Sequence, residues 1–185
     1  MYPEYASIGG KEYSINTDYR VAKECYVIIN DETITDQERT LAVIFKLFGA
    51  IPWDSLEEAL EKAIIFLSCG SQQSSDDEND GSEPDFDVNY DAGFIEASFQ
   101  SCYGIDLSTS KMHWWRFNDL IQGLDKNCIL SRVREIRNYD LNEIKDPTQR
   151  AKMAQSQEAL KLPERISAEE QQKIDEFEKF FSGGD

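Results

Sequence analysis

Apolar side chains recur three and four positions apart along most of the chain, which is the spacing of one face of an α-helix. The pattern predicts a mainly α fold, a helical domain of about six to eight helices. The predicted inner faces include Leu41, Ile44, Phe45 and Phe48; Leu56, Leu60, Ile64 and Leu67; Phe94, Ile95, Phe99, Cys102 and Tyr103; and Ile129, Val133 and Ile136.

Residues that favour helix ends bound these stretches. In Thr35–Glu38 a hydroxyl at the cap position precedes a carboxylate three residues later, which is a capping box. Asp146 followed by Pro147 predicts another helix start, because proline is favoured at the first helical position. For the helix that contains two adjacent tryptophans, we expect the cap at Ser108 or Ser110.

A minor β-hairpin is predicted near the N-terminus. Residues 6–8 and 13–15 flank Gly9-Gly10, and glycine readily adopts the positive φ that a tight hairpin turn needs. Two strands alone are marginally stable, so we expect the hairpin to lean on the helices.

The composition of the chain changes abruptly at residues 71–87. Positions 71–85 contain no hydrophobic residue, and positions 71–87 contain seven acids and no base. Self-repulsion and the lack of apolar side chains predict an acidic disordered linker. A cation-binding loop is the alternative, but the twelfth position counted from Asp76 is Asp87 rather than the glutamate of a calcium loop.

The predicted organisation has four parts. Residues 1–70 form the hairpin and the first helices, and residues 71–87 form the acidic linker. Residues 88–165 form a helical region that packs with the N-terminal part. Residues 166–185 form an amphipathic C-terminal helix.

The net charge of −17 disfavours a nucleic-acid-binding role, because such binding needs a basic surface. An acidic surface favours solubility or a basic partner. No apolar run approaches the roughly 20 residues of a membrane span. Residues 1–4 have neither the basic nor the apolar region of a signal peptide, so we expect no membrane partner.

The cysteines predict no metal site and no cofactor. Cys25, Cys69, Cys102 and Cys128 form no closely spaced pair, and the chain has one histidine. The apolar neighbours of Cys69 and Cys128 indicate small buried hydrophobic side chains in a reducing compartment.

Candidate catalytic chemistry is sparse. His113 has no Ser or Cys neighbour to form a nucleophile pair, so a packed or surface histidine is expected and no catalytic residue is assigned. Trp114 and Trp115 differ by about 100° around a helix, so they cannot share the centre of one face. At least one of them is expected in the core.

Two groups of residues are candidates for partner binding. The apolar stripe of the predicted C-terminal helix either packs back on the domain or docks on a partner. The arginines of the helix near residue 134 bind an anionic partner or form a solvated face that pairs with the chain's many acids. The members of the two groups are Ile174, Phe177, Phe180 and Phe181, and Arg132, Arg134 and Arg137.

Several motifs between residues 97 and 153 are similar to one known family. They are Ala97–Gln100, Tyr103–Leu107, Met112–Phe117, Gly123-Leu124, Arg134–Arg137 and Gln149–Met153. Together they resemble the family called bacteriophage gene product fifteen, from siphophages and prophages of Gram-positive bacteria.

The resemblance implies a role in phage tail morphogenesis, without catalytic residues. Genes of this kind typically lie between those of the major tail protein and the tape-measure protein, and proteins encoded there act as tail assembly chaperones. The implied partners are the tape-measure protein, the major tail protein and a second copy of the chain. The implied location is the cytoplasm of the bacterial host, with the protein absent from the mature virion.

Two alternatives stay open. One is a structural tail-completion or connector protein of the virion. The other, an enzyme that uses His113, is the least favoured because the sequence offers no partner for that side chain.

Overall fold

The computed structural model describes residues 2–70 and 85–163. Within them the protein is mainly helical after a two-stranded antiparallel sheet, so the predicted fold class is confirmed. The strands are β1 (Tyr5–Ile8) and β2 (Lys11–Ser14). The helices are α1 (Tyr19–Ile29), α2 (Asp36–Phe48), α3 (Leu56–Leu67), α4 (Ala92–Tyr103), α5 (Trp114–Gln122), α6 (Ile129–Asn138) and α7 (Pro147–Leu160). Short 3-10 turns occur at Trp53–Ser55 and Leu141–Glu143.

Two predicted segments lie wholly or largely outside the described residues. The C-terminal helix predicted at 166–185 is one, and the acidic linker at 71–87 is the other, except for its last three positions. Of those, Asp85 accepts a hydrogen bond from the Arg134 side chain of α6, and the Asp87 amide donates to the Asp91 carboxylate. These three positions therefore contact the helical part of the protein.

The hairpin leans on α3, in agreement with the expectation that helices support it. Gly9 and Gly10 have φ values of +58° and +73°, the conformation of a tight two-residue turn. The Gly9 amide donates to the Glu58 carboxylate at 2.7 Å, and Ile8 of β1 is buried in the core. The hairpin therefore gains from α3 the support that two isolated strands lack.

Helices α1, α2 and α3 pack in chain order, with α2 against both neighbours. The capping box at Thr35 is confirmed: its hydroxyl accepts from the Glu38 amide and the Glu38 carboxylate accepts from the Thr35 amide. The buried side chains of α2 and α3 are Val43, Ile44, Leu47 and Phe48, and Ala59, Ala63, Phe66 and Leu67.

Two of the predicted inner faces were therefore wrong at one edge. Phe45 of α2 and Ile64 of α3 are more than half exposed. The spacing of the large apolar residues places the inner side of α3 too far toward Ile64. The small Ala59 and Ala63 lie on the side that packs closely against the rest of the core.

Helix α6 packs on α4. The predicted inner faces of these two helices were also wrong at single positions. Leu130 and Val133 are buried, whereas Ile129, predicted inside, is exposed. On α4, Cys102 was also predicted inside and is exposed. The buried Ser98 hydroxyl accepts from the Leu130 amide at 3.1 Å, so α4 satisfies a donor at the first turn of α6.

Helix α5 begins at a residue that the sequence interpretation missed. Its cap is His113, whose Nδ1 accepts from the Trp115 amide at 3.0 Å, and the expected caps Ser108 and Ser110 were wrong. Ser108 instead donates its amide to the Asp106 side chain in a separate turn. Histidine is outside the usual set of capping residues, which explains the error.

Both tryptophans at the start of α5 reach the end of α3. Trp114 is only 2% exposed and its indole N–H donates to the Leu67 carbonyl at 2.9 Å. The Trp115 indole donates to the Phe66 carbonyl at 2.8 Å. The prediction that at least one of the pair lies in the core is confirmed.

Helix α7 lies on the surface, since none of its residues is buried. The Asp146 side chain accepts from the Gln149 amide at 2.8 Å, so the predicted start is confirmed. The Gln157 side chain donates to the carbonyls of Ile136 and Tyr139, where α6 ends. Helix α7 is thus held mainly by polar contacts.

We expect Trp114→Ala to destabilise the fold by about 3–5 kcal/mol, because it leaves a large cavity and removes a buried hydrogen-bond donor. Trp53→Ala is the matched control, since Trp53 is 66% exposed, and it should change stability by less than about 0.5 kcal/mol. Urea unfolding followed by circular dichroism measures both changes. Equal midpoints for the two variants would contradict the assignment of Trp114 to the core.

Candidate partner-binding surface

The described residues contain no group of three or more His, Cys, Asp or Glu side chains placed to hold a metal ion. In the same part of the chain, no helix has the length and apolar character needed to cross a membrane. The search for a functional site therefore turns to cavities and to surface side chains.

A cavity of about 620 Å³ lies beside His113, between β2, the end of α2 and residues 111–113. Its charged side chains are mostly engaged: Lys46 pairs with Glu24 of α1, and the Asp18 carboxylate caps α1. This cavity lacks a nucleophile next to a free base, which acid–base or covalent catalysis needs.

His113 itself has a structural role. Its Nδ1 accepts from the Trp115 amide, which leaves the proton on Nε2, and Nε2 lies 2.9 Å from the Pro3 carbonyl. The ring also stacks on Tyr2 at a centroid distance of 5.0 Å. Acting as a base through Nδ1 would release the cap of α5, so the geometry disfavours catalysis by His113.

The Arg137 side chain is buried, and its hydrogen bonds reach three neighbouring segments of the described chain. Its two terminal nitrogens donate to both oxygens of the fully buried Asp91 carboxylate, at 2.7 and 2.8 Å. Its Nε donates to the Leu160 carbonyl and Nη1 to the Asp85 carbonyl. The hydrogen bond to Asp91 holds the pKa of Arg137 above its ordinary value. This guanidinium therefore joins α6 to the last residue of α7, to the residue before α4 and to Asp85.

The three predicted arginines do not form one site. Arg134 donates to the Asp85 carboxylate at 2.7 Å and lies 5.0 Å above the Phe86 ring. Only Arg132 of the three has an exposed side chain. The alternative was a solvated face that pairs with the chain's acids: Arg134 and Arg137 do pair with Asp85 and Asp91, but Arg137 is not solvated. Partner binding by this group stays a prediction, with Arg132 the most accessible member.

Exposed large apolar side chains concentrate in the N-terminal part. Residues 85–163 contribute only Tyr90 and Ile129 to this set. Residues 2–70 contribute Tyr2, Tyr5, Val27, Ile29, Phe45, Trp53, Ile64 and Ile65. Single exposed apolar side chains are ordinary, whereas neighbouring ones that form a patch mark an interaction surface.

The outer face of α3 combines apolar and acidic groups. Glu57, Glu61, Ile64 and Ile65 fall within an arc of about 100°, opposite the side of α3 that is buried. All four are exposed, Ile64 at 53% and Ile65 at 36%. We call these four residues the α3 outer face. It suits a partner that is apolar on one side and basic beside it.

A family model described as bacteriophage Gp15 protein matches residues 3–162. The chain belongs to the bacteriophage Gp15 protein family. No curated protein and no solved structure matched the chain significantly. Membership gives this Gp15-family protein a bacteriophage-related structural or morphogenetic role.

The family match includes the α3 outer face and the Arg137 contacts, and it ends before the predicted C-terminal stripe. That stripe, made of Ile174, Phe177, Phe180 and Phe181, lies outside the described residues. Its role in partner binding stays a prediction.

The sequence interpretation missed two features of this Gp15-family protein. Ile64 and Ile65 belong to a run of five consecutive apolar residues, 63–67, that covers more than a full helical turn, so some of the run must face solvent. That signal was available. The buried Asp91 had no comparable signal, because its partner Arg137 lies 46 positions away.

We expect Arg137→Ala to cost roughly 3–5 kcal/mol of stability, since it leaves the Asp91 carboxylate buried without its partner. Arg132→Ala, on the exposed side of the same helix, should change stability by less than about 0.5 kcal/mol. Urea midpoints of the two variants check this. A midpoint for Arg137→Ala within error of the parent would show that the pair is dispensable.

Proposed function

We propose that this Gp15-family protein is a tail assembly chaperone that binds the tape-measure protein before tail-tube subunits assemble around it. The family match supports a role in bacteriophage morphogenesis. Binding of the tape measure is supported by the exposed apolar side chains of α1, α2 and α3 on a strongly acidic, helical protein. We also propose that the protein acts in the bacterial cytoplasm and is absent from the mature virion.

The α3 outer face is the observation that supports client binding most directly. A long helical client exposes an apolar stripe until it is packaged, and a chaperone must cover that stripe without forming a permanent complex. Ile64 and Ile65 together expose roughly one isoleucine side chain, so covering them contributes about 1.5–3 kcal/mol. A contact of that size is weak enough to be released when tube subunits arrive.

The charge of the protein supports the same role. A net charge of −17 keeps a complex with an apolar client soluble through mutual repulsion. Glu57 and Glu61 place part of that charge beside the isoleucines, where basic residues of a client helix would pair with them. The predicted stripe at Ile174, Phe177, Phe180 and Phe181, and the exposed Arg132, are proposed as further contacts.

We expect the double variant Ile64→Asp, Ile65→Asp to lose most of its ability to keep the tape-measure protein soluble on co-expression. Removing about 1.5–3 kcal/mol of contact corresponds to at least about a tenfold loss of affinity. Ile129→Asp is the matched control, because Ile129 is an exposed isoleucine on α6, and it should behave like the parent. If the double variant solubilises the client as well as the parent, the α3 outer face is not the client site.

A chain truncated after Arg165 tests the predicted C-terminal stripe. We expect it to remain folded, with a cooperative urea transition, because the described core ends before this point. We also expect it to retain less client in the soluble fraction, since each buried Phe contributes roughly 1.5–3 kcal/mol. Unfolding of the truncated chain would place the segment in the core, and undiminished solubilisation would place client binding elsewhere.

A structural tail-completion or connector role is the alternative within the same family assignment. The two roles differ in whether the protein is part of the finished phage particle. Mass spectrometry of purified phage particles separates them, because a chaperone is missing from the finished particle and a connector is present in fixed copy number. Detection in stoichiometric amounts would overturn the chaperone proposal.

A further inference from the structure

Two free cysteines lie at the contact between α4 and α6. Cys102 is exposed in the last turn of α4, and Cys128 is the buried residue that caps the start of α6. The two helices pack on each other, and the Leu130 amide donates to the Ser98 hydroxyl at 3.1 Å. Because Cys102 follows Ser98 by four positions, it lies one turn further along the same side of α4. The first turn of α6 therefore sits beside the part of α4 that carries Cys102.

The surroundings of Cys128 favour its thiolate form. Its Sγ lies 3.2 Å from the Ser131 hydroxyl. Burial raises the pKa of the Cys128 thiol, but hydrogen bonds from the Ser131 hydroxyl and amide and from the Ser98 and Cys102 side chains outweigh burial and lower that pKa below its ordinary value. The partial positive charge at the start of a helix acts in the same direction. Cys128 is thus a nucleophile beside a second sulfur.

The other two cysteines have the opposite character. Burial raises the pKa of the Cys25 and Cys69 thiols to about 11. At neutral pH both stay protonated, and a protonated thiol is a poor nucleophile. Thiol chemistry in this chain is therefore concentrated at the α4–α6 contact, where Cys102 is open to solvent and Cys128 is activated.

We propose that Cys102 and Cys128 form a reversible disulfide, a redox-sensitive bond that joins α4 to α6. The exposed Cys102 is the sulfur that a low-molecular-weight disulfide reaches first, and the buried Cys128 is the thiol that closes the bond. The proposal does not rest on the proposed function, since neither cysteine belongs to the α3 outer face.

The oxidant is a low-molecular-weight disulfide, RSSR. The Cys102 thiolate attacks one sulfur of RSSR, which forms a mixed disulfide on Cys102 and releases one RS⁻. The Cys128 thiolate then attacks the Cys102 sulfur, which closes the internal bond and releases the second RS⁻. The two thiol protons pass through solvent to the two RS⁻ groups, so two protein thiols are oxidised and RSSR is reduced to two RSH. An excess of RSH, as in a reducing compartment, reverses the sequence.

Incubation of the full-length chain with oxidised glutathione tests the proposal. The reaction is stopped with acid, the remaining thiols are alkylated, and the peptides are mapped by mass spectrometry. We expect a linked pair of peptides that contain Cys102 and Cys128, and recovery of both thiols with dithiothreitol. Cys69→Ser is the matched control and should form the bond as the parent does, because the Cys69 thiol stays protonated. Failure of the parent to form this bond would overturn the proposal, as would a bond between two copies of the chain.

Cys128→Ser separates the two steps of the exchange. Serine is a favoured cap residue, so α6 should still begin at this position. We expect the mixed disulfide on Cys102 to accumulate at least about tenfold more than in the parent, because no adjacent thiolate displaces glutathione. Equal accumulation in the two proteins would show that Cys128 does not close the bond.

Cys102→Ser tests the point of entry. It replaces an exposed side chain, so the fold should be kept, and Cys128 should stay free of glutathione because it is buried. Glutathione bound to Cys128 in this variant at the rate seen for Cys102 in the parent would contradict the proposed order of attack.

Discussion

The end of α3 is the point on which the rest of the fold depends. The last carbonyls of a helix have no partner within it, and a buried carbonyl left unpaired costs about 1–3 kcal/mol. Here the Phe66 carbonyl accepts from the Trp115 indole, and the Leu67 carbonyl accepts from both the Trp114 indole and the Tyr26 hydroxyl. Side chains of α1 and α5 therefore complete the hydrogen bonding of α3, and the three helices fix one another's positions.

This arrangement also decides what α3 presents to solvent. Because Phe66 and Leu67 turn inward beneath the tryptophans, the preceding Ile64 and Ile65 face largely outward. Gly70 permits the close approach: its φ is +77°, and a Cβ there would lie 3.0 Å from the Trp115 ring. The proposed client surface is thus held by a packed helix end rather than by a loop, which limits the ordering entropy lost on binding.

Local features of the fold were predictable, and contacts between distant segments were not. The Thr35 capping box and the Gly9-Gly10 turn are encoded within a few residues, so sequence identified both. The inner side of α3 depends on which helices pack against it, information that the spacing of its own residues does not contain. The His113 cap also depends on other segments, because the ring is oriented by contact with Pro3 and Tyr2, about 110 positions away.

Arg137 shows why a buried ion pair is useful here beyond any gain in stability. Desolvation offsets much of the attraction in such pairs, so replacing both partners together by apolar side chains of similar volume would stabilise the core about as well. An apolar side chain, however, could not bind the Asp91 carboxylate and still donate to the carbonyls of Leu160 and Asp85. The arginine thereby fixes where the chain leaves α7.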